Sequence, residues 1–167
     1  NYNVVVGDEA GTAITTGDDN TFLGYAAGAA VTTALENTLI GGLAGDAITT
    51  GNSNTAVGKS ALSAATTGTL NVAIGKGALR DNTTAGANTA VGTVSMRLTT
   101  TGASNTAVGY GSLDTNTTGG SNVAIGRDSL TANTTASNNT AVGYLSLEAN
   151  TTGTENVALG KDALKDS

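Results

Sequence analysis

Asn105-Thr106-Ala107-Val108-Gly109 is one instance of a five-residue word that organises the whole chain. It returns as Asn54-Thr55-Ala56-Val57-Gly58 and as Asn71-Val72-Ala73-Ile74-Gly75. Its asparagine falls at Asn3, Asn20, Asn37, Asn54, Asn71, Asn88, Asn105, Asn122, Asn139 and Asn156, always 17 residues apart. The glycine four places on keeps the same step from Gly7 to Gly160. A fixed period near 20 residues is the mark of a solenoid, in which each repeat buries its apolar face against the next. Numbering the asparagine as phase 0 gives every residue a place in the coil.

Phase 1 is Thr or Val, and phase 3 is aliphatic throughout: Val6, Leu23, Ile40, Val57, Ile74, Val91, Val108, Ile125, Val142, Leu159. Short period-2 segments of β-branched residues that stop at glycine read as strands. Phases 12 and 13 are Thr in each coil that contains them, from Thr15-Thr16 to Thr151-Thr152, and predict a second short strand running into a turn. Gly, Thr and Asn are poor helix formers, and no 3.6-residue period survives. The expected fold is therefore all-β, a parallel β-solenoid of about ten coils with two or three short strands each. At the interstrand spacing, ten coils make a rod about 45 Å long. Asn20, Asn37, Asn54, Asn71, Asn88, Asn105, Asn122 and Asn139 are expected to form a structural ladder, amide on amide along the axis.

A size exchange runs through the repeat. In the first three coils phase 2 is large (Val5, Phe22, Leu39), phase 8 is glycine (Gly11, Gly28, Gly45) and phase 11 is Ile14, Val31, Ile48. From the fourth coil on, phase 2 is alanine, from Ala56 to Ala158, and phase 8 is Leu or Met, from Leu62 to Leu164. Phase 11 then becomes small or polar: Ala65, Asn82, Thr99, Asn116, Asn133, Asn150. Close-packed interiors conserve volume in this way, so phases 2, 8 and 11 are expected to share one compartment. One solenoid over 1–167 thus divides into sub-sections 1–53 and 54–167. Phases 2 and 3 are adjacent and both apolar, so one column is expected to face out of the coil, and the phase 3 valine column is read as the core. That predicts partner chains, with three parallel rods about one axis as the expected assembly.

Composition narrows the function. Val, Ile, Leu and Phe number 32 in 167 residues and the net charge is −6, a composition that without the repeat would read as disorder. There is no Pro to interrupt a ladder. There is no Cys, so disulfides and thiolate metal sites are excluded, and no His, so no Ser/His/Asp or Cys/His set exists. Residues 1–53 carry six acids and no base, the remainder seven of each, which is no footprint for nucleic acid. No apolar run reaches the roughly 18 residues that span a bilayer. The chain begins and ends in mid-repeat without capping coils, and reads as a piece of a longer fibre or a rod that stacks end to end.

The cycle N-(T/V)-A-(V/I)-G-x-x-(A/S)-L followed by T-T-G resembles repeats of phage and bacterial tail-fibre-like proteins, and Asn20-Thr21-Phe22-Leu23-Gly24-Tyr25-Ala26-Ala27-Gly28 is similar to a variant of them. Asn71-Val72-Ala73-Ile74-Gly75 and Asn122-Val123-Ala124-Ile125-Gly126 also resemble the strand of trimeric autotransporter adhesin heads. The resemblance implies a homotrimeric, left-handed β-roll serving as a rigid shaft or adhesive head, extracellular, on a cell surface or on a virion. The adhesin repeat is shorter than 17 residues, so its coil geometry does not carry over.

The leading expectation is a non-enzymatic structural or adhesive fibre segment without cofactors. Its partners would be copies of itself and a cell-surface glycan or protein receptor, with neither nucleic acid nor membrane insertion. Tyr25, Tyr110 and Tyr144 share phase 5 and are candidate ligand aromatics. Asp8-Glu9 and Asp18-Asp19 offer oxygen ligands for a weak Ca²⁺ site, or simply a solvated face. A second reading is an ice-binding solenoid whose face is the double threonine file Thr49, Thr50, Thr66, Thr67, Thr83, Thr84, Thr100, Thr101, Thr117, Thr118, Thr134 and Thr135. A third is a subunit of a self-assembling extracellular filament.

Overall fold

The computed structural model describes residues 2–166. Ten strands of three residues each form one sheet: β1 (Val4–Val6), β2 (Thr21–Leu23), β3 (Thr38–Ile40), β4 (Thr55–Val57), β5 (Val72–Ile74), β6 (Thr89–Val91), β7 (Thr106–Val108), β8 (Val123–Ile125), β9 (Thr140–Val142) and β10 (Val157–Leu159). Their order in the sheet is their order in the sequence. Every neighbouring pair is parallel and offset by one coil, as in Thr89↔Thr106, Ala90↔Ala107 and Val91↔Val108. The chain is an all-β solenoid, with no helix among the described residues.

Each coil has one strand rather than two or three. The Thr-Thr pair at phases 12 and 13 lies in a bend. Coil-to-coil backbone bonding nevertheless continues round the circuit, as the coil that starts at Asn105 shows. Thr106 N–H donates to Asn122 O at 2.8 Å, Leu113 N–H to Ser129 O at 2.9 Å and Thr117 N–H to Thr134 O at 2.8 Å, all upward. Gly109 N–H donates to Val91 O at 2.8 Å and Ser121 N–H to Ala103 O at 3.1 Å, both downward. The coil is therefore stitched to both neighbours at the corners as well as in the strand. This leaves few backbone donors to lose on burial.

The chain turns inside 17 residues by putting phases 6, 8 and 16 in the left-handed region in coil after coil. Leu113 at phase 8 has φ 54°, Ser121 at phase 16 has φ 57° and Asp128 at phase 6 has φ 54°. Non-glycine residues pay a steric penalty there, about 1–3 kcal/mol at a strained site. Phase 4 is stricter. Gly58 has φ 132°, and a Cβ on it would stand 2.7 Å from the carbonyl of Gly75 in the next coil. Stacked coils thus bring backbone onto backbone at this corner, and only glycine fits.

Burial decides which of the adjacent apolar columns is the core. Phase 2 points inward: Phe22, Leu39, Ala56, Ala73, Ala90, Ala107, Ala124 and Ala141 are fully buried. Phase 3 points outward and is half-exposed, so the valine column is not the core despite being the more hydrophobic of the two. Phases 8 and 11 complete the interior with Leu62, Leu79, Met96, Leu113, Leu130 and Leu147 from one side and Val31 and Ile48 from the other. The compartment is shared within a coil. A Cβ on Gly28 would meet the Phe22 ring at 2.7 Å, and one on Gly45 would meet Leu39 Cδ2 and Ile48 Cδ1, both at 2.8 Å. A large phase 2 side chain occupies the space that leucine fills where phase 2 is alanine.

This exchange predicts strong coupling between two sites in one coil. Ala107→Leu is expected to destabilise by about 1–3 kcal/mol through overpacking. Leu113→Gly is expected to cost about 2–5 kcal/mol through the cavity, part of it offset by release of the left-handed leucine. The double variant should lose much less than the sum of the two in urea melts.

Candidate functional site

The asparagines at phase 0 form a buried spine. Asn105 Nδ2 donates to Asn88 Oδ1 at 3.2 Å and to Gly119 O, at phase 14 of its own coil, at 2.9 Å. Its Oδ1 accepts the backbone N–H of Asn122 at 2.9 Å and the Asn122 amide at 3.1 Å. Each side chain therefore closes its own coil and ties it to its neighbours. The link to the previous coil's Oδ1 recurs at Asn20, Asn37, Asn54, Asn71, Asn88, Asn122 and Asn139. A backbone N–H that would be an orphan inside the coil is satisfied every time.

A second polar column at phase 11 is incomplete. Asn133 Nδ2 donates to Asn116 Oδ1 at 3.0 Å and to Ala136 O at 3.0 Å, and Asn150 continues the file at 3.4 Å. Below it, Thr99 is too short to reach either neighbour. Thr99 Oγ1 and both polar atoms of the Asn82 amide are buried without a protein hydrogen-bond partner. Such groups cost about 1–3 kcal/mol each. A third file at phase 7 is made by Ser95, Ser112, Ser129 and Ser146, with Ser95 Oγ and Ser112 Oγ 3.0 Å apart.

On the outside the two threonine columns differ. At phase 12 the hydroxyl donates to the threonine carbonyl of the next coil, as Thr49 to Thr66 at 3.1 Å, Thr83 to Thr100 at 3.2 Å and Thr117 to Thr134 at 3.0 Å. Thr66, Thr100 and Thr134 do the same at 3.2, 3.1 and 3.4 Å. These hydroxyls are committed to the stack. At phase 13, Thr50, Thr67, Thr84, Thr101, Thr118 and Thr135 form a straight exposed file. Neither threonine of the pair enters the core, because the bend holds both outside.

The phase 5 tyrosines are exposed but engaged. Arg127 lies between Tyr110 and Tyr144, 5.7 and 5.9 Å from their ring centroids, and Lys161 stands 6.0 Å from Tyr144 on the far side. The result is an alternating cation and ring edge over coils 7 to 10. Tyr25 belongs elsewhere: its hydroxyl bonds Glu9, which raises its pKa. Asp18 accepts the backbone N–H groups of Tyr2 and of Asp19, the latter at 3.0 Å, and the Tyr2 bond holds its carboxyl below its ordinary range. No three acidic side chains among the described residues converge as a metal site.

Two features escape a reading of the sequence along one phase. Asp46 Oδ1 is buried without a partner, and burial pushes its carboxyl pKa up. A cleft of about 310 Å³ opens at the corner between phases 5 and 9, walled by Lys59, Lys76, Arg80 and Arg97 over a floor of Ser60, Gly77 and Val94. The cations come from coils 4 to 6 and from two phases, so only the fold gathers them.

Two outcomes follow from the buried polar groups. Thr99→Asn should join Asn82 to Asn116 in one continuous column and raise stability by about 1–3 kcal/mol in denaturant melts. Asp46→Asn should raise the thermal midpoint at pH 7. A carboxyl whose pKa rises on folding destabilises the fold once it ionises, so this gain should fade as pH falls through the carboxylate range. Comparison with known proteins adds no constraint: no family model, no curated protein and no solved structure matches the chain.

Proposed function

We propose that the chain is a section of a homotrimeric β-solenoid fibre, a stiff non-enzymatic rod that carries binding groups on its corners at a cell surface or on a virion. The carrying observation is the outward face of the ten-stranded sheet. Its phase 3 column is aliphatic from end to end, and Val6, Leu23, Ile74, Val108, Ile125 and Leu159 are exposed. Beside it runs the Thr/Val column of phase 1. Ten strands at the interstrand spacing make this face roughly 45 Å long. Contiguous apolar patches of that extent mark association surfaces rather than the skin of a monomer. A straight rod with such a strip is suited to packing against identical strips about a common axis.

The circumferential bonding supports the mechanical half of the reading. Every coil is held at the strand, at the corners and by the asparagine spine, so bending the rod strains many hydrogen bonds at once. Ice binding through the threonine files has narrower support, the exposed phase 13 column alone, since the phase 12 hydroxyls are spent within the stack.

Sedimentation equilibrium is expected to return about three times the chain mass of 16.1 kDa. Val108→Lys with Ile125→Lys should give a monomer that keeps its β circular-dichroism spectrum, because both side chains point away from the core. A monodisperse wild-type monomer, or a variant that stays assembled, would overturn the reading.

A further inference from the structure

We infer that the corner cleft at Lys59, Lys76, Arg80 and Arg97 is a binding site for tetrahedral oxyanions, sulfate or phosphate esters carried on a polysaccharide chain. The inference gives the fibre reading a binding site and rests on it only for biological setting. Its test reads ligand binding, whereas the test of the fibre reading reads mass, so either can fail alone.

The charge pattern isolates the site. Residues 54–104 hold four bases and one acid, with Asp114 of the next coil the second acid at the site, while the rest of the chain holds three bases and twelve acids including Asp114. An anionic ligand is therefore repelled by most of the rod and attracted to one waist. Stacking sharpens the local field. Lys59 and Lys76 occupy the same phase in successive coils, so their backbones are roughly 4.8 Å apart, and Arg80 and Arg97 repeat the arrangement along the other wall. Lys59 and Lys76 therefore project from one edge in successive coils, and a bound anion can draw on both ammonium groups.

The four cations are not equally committed. Arg80 uses Nε and one Nη on Asp81, at 2.6 and 2.9 Å. Arg97 uses the same pair on Asp114, at 3.0 and 2.9 Å. Both guanidiniums are thereby held in place with the remaining donors of the five-donor fork unspent. Lys59 and Lys76 are exposed and form no ion pair among the described residues. Two fixed planar forks facing two mobile ammonium groups suit an oxyanion, which takes bidentate bonds from arginine and a point charge from lysine.

The cleft also selects the carrier. No aromatic side chain lines it, so it lacks the base-stacking platform that single-stranded nucleic acid uses. It spans coils 4 to 6 and is bounded along the Arg80 and Arg97 wall by Asp46 and Asp114, so it holds one anion-bearing segment of an extended chain whose remainder lies in solvent.

The test is a titration of the full chain with fluorescein-labelled dextran sulfate and, separately, dextran phosphate, read by anisotropy at low salt. Saturable binding that weakens steeply with salt is expected for at least one ester, and the tighter of the two identifies the source. Lys59→Gln with Lys76→Gln should weaken it tenfold or more while the melting curve is unchanged. Lys161→Gln with Lys165→Gln removes the same charge from another part of the rod and should change affinity less than twofold. Absence of binding by the wild-type chain, or equal weakening by both double variants, would overturn the inference. Tighter binding of single-stranded DNA than of either ester would overturn it as well.

Discussion

The structure depends on one constraint: each coil must present its backbone donors and acceptors directly above those of the coil before it. Parallel strands of three residues cannot meet that demand alone, since so short a ladder holds little. The asparagine spine completes it. Asn105 satisfies its own coil through Gly119 O and its neighbours through Asn88 and Asn122, all inside the buried interior. A buried amide is an expensive group unless all its partners are present. Here the partners are supplied by identical residues one coil away, so the cost of burying one asparagine is met only if the stack is in register.

Much of this is legible in the sequence. The period, the asparagine column and the glycine at phase 4 are visible as repeated letters. The shared compartment is visible through the size exchange between Phe22 with Gly28 and Ala107 with Leu113. The inward face is harder to read. Valine is more hydrophobic than alanine, and ranking by hydrophobicity puts Val108 inside. A 17-residue coil, however, encloses a narrow space that Leu113 already fills, and alanine is what still fits opposite it. Volume overrides hydrophobicity.

Other features are hidden for definite reasons. The left-handed turns at phases 6 and 16 are occupied by Asp, Glu, Asn, Ser, Leu, Val and Ala as well as Gly, so no glycine column announces them. The stack holds Val94, Leu43, Leu70 and Leu145 in a conformation their own preference would not choose. The bend at phases 12 and 13 looks like a strand because both residues are β-branched, yet their threonines serve as rungs and surface. The basic cleft is invisible because its walls belong to two phases, four positions apart in each coil, which a corner folds towards each other.

The spine has a consequence for how such a chain can change in length. An asparagine finds its partners only when the next one arrives 17 residues later, and a Cβ-free corner must lie on another Cβ-free corner at the same step. An insertion of any other size keeps the columns beyond it in register only if an exposed corner loops it out. Whole coils are therefore the natural unit of gain and loss, and unequal exchange between repeats would lengthen or shorten the rod without disturbing its cross-section. The reach of the rod is thus quantised in coils, while its surface chemistry is free to vary one corner at a time.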